Sequence, residues 1–114
     1  MPNLRRIGQQ AEDRAAEFLI AKSYTIITRR KKMRSGELDI IALDGEVLVF
    51  VEVKHRLAPD YKPEESIGGR KQRALEAAAE EYLAEVGERD REVRFDLVAM
   101  DAQGIRHYPD AFRA

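Results

Sequence analysis

In the stretch GELDIIALDGEVLVFVEVK, residues 36–54, two runs of Ile, Leu, Val and Phe carry Asp39, Glu52 and Lys54 inside them. Such residues are almost never fully buried without partners. Two carboxylates and an ammonium gathered at one point could hold a hard cation and act on a phosphate ester. Leu38 to Leu43 and Val47 to Val53 read as strands flanking Asp44-Gly45, a dipeptide suited to the positive φ angles of a two-residue hairpin turn. With that turn Leu43 pairs with Glu46, and Asp39 lies opposite Phe50. Opposed residues share a face and side chains alternate along each strand, so Glu37, Asp39, Glu52 and Lys54 fall together, with Val49, Val51 and Val53 behind them. Asp39 and Glu52 become diagonal neighbours with backbones about 7 to 8 Å apart, a gap that two carboxylates span by sharing one cation.

A half-wet hairpin would also alternate Val with Glu and Lys. Here, however, Leu48, Phe50, Ile41 and Leu43 lie on the same face as the charges, so that face is not simply solvated. Carboxylates this close repel and desolvate poorly unless an ammonium or a cation neutralises them. The chain has no cysteine and only His55 and His107, which excludes disulfides and thiolate sites and argues against a histidine-rich zinc site. Hard oxygen ligands favour Mg²⁺ or Mn²⁺. The chemistry implied is phosphodiester hydrolysis, in which the metal polarises a phosphoryl oxygen and lowers the pKa of the attacking water, and Lys54 orients that water or offsets developing charge.

The elements that must position these residues follow from periodicity. From about Arg5 to Lys22 the apolar positions Ile7, Ala11, Ala15, Phe18 and Leu19 recur at helical steps. YTIIT (Tyr24 to Thr28) reads as a strand, and the basic run RRKKMRSG as the loop after it. His55 to Gly69, with two prolines and two glycines, reads as a long loop. A second helix spans about Arg70 to Val86, carrying Leu75, Ala78, Ala79, Tyr82, Leu83 and Val86 on one face and ended by Gly87. VRFDLVAM (Val93 to Met100) and GIRHYP are strands, and Asp110 to Arg113 reads as a helical turn. The order αβββαββ implies an α/β fold, a mixed central sheet of about five strands flanked by helices, and the 114 residues suit one domain, 1–114.

Charge is distributed unevenly, although 20 Lys and Arg nearly balance 21 Asp and Glu for a net charge of −1. Residues 1–73 carry +4 and residues 74–114 carry −5. The basic excess peaks at Arg29, Arg30, Lys31, Lys32 and Arg34, just before the strand that carries Asp39, where it is placed to hold a phosphate backbone without reading sequence. Smaller basic groups surround Arg56 and Arg70. With no apolar signal segment and nothing near the roughly 20 apolar residues of a membrane span, the expected compartment is the cytoplasm and no membrane partner is expected.

Asp39, followed after twelve residues by Glu52-Val53-Lys54, resembles the D…(D/E)xK signature of the PD-(D/E)xK nuclease superfamily, which has the restriction-endonuclease-like fold. GELDIIA, VFVEVKHR, GGRKQRALEAAAEEYL, RFDLVAM and the closing DAF, covering nearly the whole chain, resemble the YraN family of bacterial predicted endonucleases, distantly similar to archaeal Holliday-junction resolvases. The resemblance implies Mg²⁺-dependent cleavage and an acidic residue on the first helix, matched here by Glu12, which joins Asp39 and Glu52 as a metal ligand. Glu12 lies beside the apolar stripe, whereas Glu17 falls among exposed positions. Lys71 and Gln72 match a position that contacts substrate phosphate in related nucleases. Leu38 stands where the superfamily's name has proline. Arg94, Asp96 and Tyr82 read as structural. The expected function is structure-selective cleavage of branched or single-stranded DNA in recombination or repair, with a homodimer suggested by analogy with the resolvases. The alternative is a nucleic-acid-binding or partner-binding module on the same fold without catalysis.

Overall fold

Val49 and Val51 point to one side of the central hairpin and Leu48 and Phe50 to the other, and all four are buried. The hairpin therefore needs cover on both faces, and one helix supplies it on each. The computed structural model describes residues 4–55 and 68–112. Its elements are α1 (Leu4–Ala21), β1 (Thr25–Lys32), β2 (Glu37–Asp44), β3 (Val47–His55), α2 (Gly69–Val86), β4 (Val93–Asp101) and β5 (Gly104–Phe112). The five strands form one mixed sheet in chain order, β3 and β4 parallel and the other neighbours antiparallel. α2 is the crossover that a parallel pair requires. None of the described helices is long and apolar enough to cross a membrane.

α1 lays the small residues Ala11, Ala15 and Ala16, with Leu19, against Ile40, Ala42, Val49, Val51, Val98 and Met100. α2 lays Leu75, Ala78, Ala79, Tyr82 and Leu83 against Leu38, Ile41, Leu48, Phe50 and Phe95. Tyr82 is a core residue, set edge-on to Phe50 with ring centroids 6.0 Å apart. Gly87 ends α2 in the left-handed region, φ 74°, and the Glu88 N–H closes back on Leu83 O at 2.9 Å.

Three expectations are corrected. First, the basic run is not a loop: β1 continues to Lys32, paired Arg29↔Ile40, Lys31↔Leu38 and Lys32↔Glu37, and only Met33–Gly36 connect it to β2. β1 is an edge strand, where charged side chains and irregular pairing are tolerated; the register shifts between Ile26 and Thr28, and Arg30 takes φ 52°. Second, the hairpin turn is Gly45-Glu46, with Asp44 paired to Val47 and Ile41 to Phe50. Gly45 takes the positive φ of the first central position, 61°, as in a type II′ turn, and Asp44 stays in the strand with its carboxylate on Arg94 at 3.0 Å. Third, Asp110–Phe112 continue β5 and form no helical turn: Phe112 pairs with Phe95, and the Asp110 N–H turns aside to Asp96.

Asp96 is fully buried and fully supplied with donors. It accepts from Tyr24 Oη (3.0 Å), Arg94 Nε (2.8 Å) and Nη2 (3.0 Å), His107 Nε2 (2.7 Å) and the Asp110 N–H (3.0 Å). Lys22 Nζ lies 2.8 Å from His107 Nδ1 and can only donate, so Nε2 carries the ring proton that Asp96 accepts. Burial alone would raise the Asp96 pKa, but the hydrogen bonds from His107, Arg94 and Asp110 hold it well below the usual carboxylate range. The structural reading of Arg94 and Asp96 thus has a physical basis: they tie together β4, β5, Tyr24 just before β1 and Asp44 at the end of β2. Removing one member of a buried ion pair strands the other, at a cost of about 3–5 kcal/mol. Arg94→Leu is therefore expected to lose about 3 kcal/mol in urea unfolding at unchanged m-value, discounting for the partial exposure of Arg94; a loss under about 1 kcal/mol contradicts this role.

Candidate metal centre

The pairing of β2 with β3 ends at Ile40↔Val51. Beyond it, Leu38 and Glu37 stay with β1, whereas Glu52, Val53, Lys54 and His55 stay with β4. The two strands fork, and Asp39 stands at the opening. Its carboxylate replaces a ladder partner, Oδ2 accepting the Val53 N–H at 2.9 Å. Facial alternation breaks here as well: Ile40 packs under α1, while Leu38, two residues away, packs under α2. The fork opens the sheet to both helices, so that Asp39 lies near Glu12 of α1 and the charge of Lys71 of α2 also acts on it.

Glu52 faces Asp39 across the fork, close enough for its charge to act on the Asp39 carboxyl. Had the observed register continued, they would be directly opposed and not diagonal. Glu52 is only 5% exposed. Its Oε1 has Lys54 Nζ at 3.5 Å and Lys71 Nζ at 3.7 Å, whereas its Oε2 is buried with no hydrogen-bond partner among the described residues. Two ionised carboxylates placed so close repel, and a shared proton or a cation relieves the repulsion. Burial and the Glu52 charge push Asp39 up to about 7, against the Val53 N–H and Lys71, which favour its ionised form. Burial raises Glu52 as well, opposed by Lys71 and Lys54. Glu12 is raised by burial and by Asp39, opposed by Arg30.

The structure thus gathers Glu12, Asp39, Glu52 and Lys54, and it adds Lys71. Lys71 sits in the first turn of α2, where a cation opposes the helix dipole and Gly68 gives no side-chain cap; its ion pair with Glu52 offsets that local cost. Arg70 is exposed and Gln72 half-buried in the same turn. Arg29, Arg30, Lys31 and Arg34 of the basic run are engaged by carboxylates of the two helices, Glu12 among them. Arg29 bonds Asp13 and Arg30 bonds Glu12 at 3.2 Å, Lys31 pairs with Glu85 at 3.0 Å, and Arg34 reaches Glu81 at 3.9 Å. Lys32 is exposed and in no ion pair among the described residues. Arg56 lies outside the described residues, as does most of the expected loop, residues 56–67. The acidic residue that sequence reasoning left out of the site is Glu37, a carboxylate oxygen of which lies within 4.8 Å of one each from Glu12 and Asp39. Its signal was available, since alternation put it on the face of Asp39.

A hard cation fits this donor set: the ligands are carboxylate oxygens, no sulfur or imidazole is among them, and Glu52 Oε2 is a buried acceptor lacking a donor. Fold and site together define an α/β protein of order αβββαββ with an acidic centre at a fork in its sheet. A family model described as uncharacterised protein family UPF0102 matches residues 11–100, and the chain belongs to that family, the YraN family of the sequence resemblance. It is 49% identical over 98 residues to a UPF0102 protein of Symbiobacterium thermophilum, covering 85% of this chain and 83% of that one. It is also 40% identical to a UPF0102 protein of Pelotomaculum thermopropionicum (93% and 94% covered) and 41% identical to one of Chlorobium limicola (93% and 91%).

A carboxylate whose pKa is raised by folding stabilises the fold only while protonated, so stability falls as pH rises from about 4, the unfolded value, toward 7. Without divalent cation, Asp39→Asn is expected to be more stable than the wild type at pH 8, by on the order of 1–2 kcal/mol, with the gain vanishing near pH 4. Thermal unfolding at both pH values in chelator measures it. Equal stability at pH 8 contradicts the strained carboxylate pair.

Proposed function

We propose that this protein is a metal-dependent endonuclease that hydrolyses phosphodiester bonds in DNA, acting in the cytoplasm on branched or single-stranded intermediates of recombination or repair. The observation that carries the reading is the pair of half-buried Asp39 and buried Glu52, with Lys54 and Lys71 on Glu52 Oε1 and Glu52 Oε2 unpartnered among the described residues. Asp39 and Glu52 would hold Mg²⁺ or Mn²⁺, with Glu12 completing the acidic group. When bound, the ion supplies Lewis acidity toward a phosphoryl oxygen and toward water. Lys54 and Lys71 place two ammonium groups on one oxygen of Glu52 and favour its ionised form against the burial that raises it. The Val53 N–H favours the ionised form of Asp39 and fixes its orientation. Lys54, a quarter exposed, is the group available to orient a water or offset charge on the phosphate.

Phosphate binding in this reading falls chiefly to Arg70, Lys71, Gln72 and Lys32. Arg29, Arg30, Lys31 and Arg34 are matched by carboxylates of the two helices, so for them phosphate contact means exchanging one anion for another. That matching also motivates the alternative, a module that binds nucleic acid or a protein partner and cleaves nothing. A panel of flapped, branched and single-stranded DNA separates the two. Nicking with Mg²⁺ or Mn²⁺, abolished by chelator and reduced at least about 10²-fold by Asp39→Ala with the fold intact, is the expected result. Binding without cleavage on every substrate favours the module, and equal activity of the variant removes the assignment.

A further inference from the structure

We infer that Arg29 and Arg30 of β1 form a seat for a nucleic-acid phosphate, that Asp13 and Glu12 of α1 occupy it in the free protein, and that a bound strand displaces Asp13 from Arg29. The inference rests on the reading above for the substrate class and is independent of the cation. Arg29 Nη2 donates to Asp13 Oδ1 and lies 4.0 Å from Glu12 Oε1, and Arg30 Nε donates to the same Glu12 oxygen at 3.2 Å. Two guanidinium groups thus converge on the carboxylates of two consecutive helical residues. A guanidinium fork matches carboxylate and phosphate oxygens by the same geometry, so these carboxylates stand where phosphate oxygens fit.

The backbone is shaped for this convergence. Neighbours in a regular strand point to opposite faces, yet Arg29 and Arg30 both reach α1. Arg30 takes φ 52°, a left-handed conformation that residues with side chains rarely adopt, and it interrupts the alternation at this point. The seat is also incompletely filled. Arg29 Nε is a buried donor with no hydrogen-bond partner among the described residues, although Nη2 of the same group is bonded to Asp13. A buried donor left unpaired is costly, and an anion that takes Nε and Nη2 together is held better than Asp13 is. The Arg29 side chain, 30% exposed, must swing from α1 for a phosphate to use both.

The two carboxylates differ in how easily they yield. Asp13 is 57% exposed, and a pair of that kind is worth at most about a fivefold preference. Glu12 is 14% exposed and lies in the group with Glu37 and Asp39, so it keeps Arg30 beside the acidic centre. Lys32, exposed and in no ion pair among the described residues, continues the basic track along β1. A strand whose phosphate replaces Asp13 is therefore held next to the fork, and one that cannot reach Arg29 leaves the two arginines on α1.

Fluorescence anisotropy of a labelled single-stranded DNA oligonucleotide, titrated with the full chain in chelator over a series of salt concentrations, tests this. Asp13→Asn and Glu17→Gln remove the same charge from the same helix, and Glu17 is exposed and in no ion pair among the described residues. With both folds checked by circular dichroism, Asp13→Asn is expected to bind about threefold to fivefold more tightly than Glu17→Gln. Its salt dependence is expected to be steeper by up to about 0.7 in log Kd against log salt, since in the wild type the released Asp13 recruits a cation of its own. Arg29→Gln is expected to cost more affinity in the Asp13→Asn background than in the wild type. Equal affinity and slope for Asp13→Asn and Glu17→Gln, with the wild type binding, overturn the seat and leave the substrate reading standing. A gain from Asp13→Asn that survives the addition of Arg29→Gln also overturns it. No oligonucleotide bound by the wild type or by Asp13→Asn removes the seat and the substrate reading together.

Discussion

Everything at the acidic centre depends on β2 and β3 parting after Ile40↔Val51. Up to that pair the hairpin is an ordinary ladder with one helix per face. Past it each strand keeps only its outer neighbour, and the backbone groups released must find other partners. Asp39 supplies one, taking the Val53 N–H on its side chain. The same parting exposes the interior of the sheet to both helices. Asp39 therefore feels Glu12 of α1 and Lys71 of α2 from the two faces of the sheet.

Two buried acidic centres share this small sheet, and the contrast between them separates architecture from chemistry. Asp96 is surrounded by donors from Tyr24, Arg94, His107 and a backbone N–H, and burial there costs little because every lone pair is used. Glu52 is buried nearly as deeply and Asp39 half-buried; they face each other, and an oxygen of Glu52 is left without a donor among the described residues. A like-charge pair in a poorly solvated place is expensive, and it persists in folded chains where a cation or a reaction makes use of it. Lys71 shows the same economy from the helix side: its charge is badly placed for the dipole of α2 and well placed for Glu52.

Much of this was legible in the residues. Period-two alternation and a glycine turn identified the hairpin and the face shared by Asp39, Glu52 and Lys54, and helical spacing gave both helices to within a residue or two. The turn itself was misplaced by one residue, because Asp-Gly and Gly-Glu are both acceptable two-residue loops and the choice falls to Arg94, fifty residues away, which holds Asp44 in the strand. Parity survived that shift, so Asp39 and Glu52 still face each other. The basic run misled for a related reason. Four consecutive cations look like the start of a loop, but an edge strand pairs on one side only, and carboxylates on α1 and α2 neutralise Arg29, Arg30 and Lys31. Nor does alternation foretell a fork, which depends on which neighbour each strand keeps. Glu37 was therefore placed on the right face without being counted in the site.

The central claim is that the fork builds a cation site out of Asp39 and Glu52. Anomalous diffraction from crystals grown with Mn²⁺, recorded near the manganese edge, tests it most directly. The account predicts a peak within coordination distance of carboxylate oxygens of both residues, about 2.0–2.3 Å for a hard divalent ion. A map with no peak between them, and Glu52 Oε2 bonded instead to a donor of the protein, contradicts it.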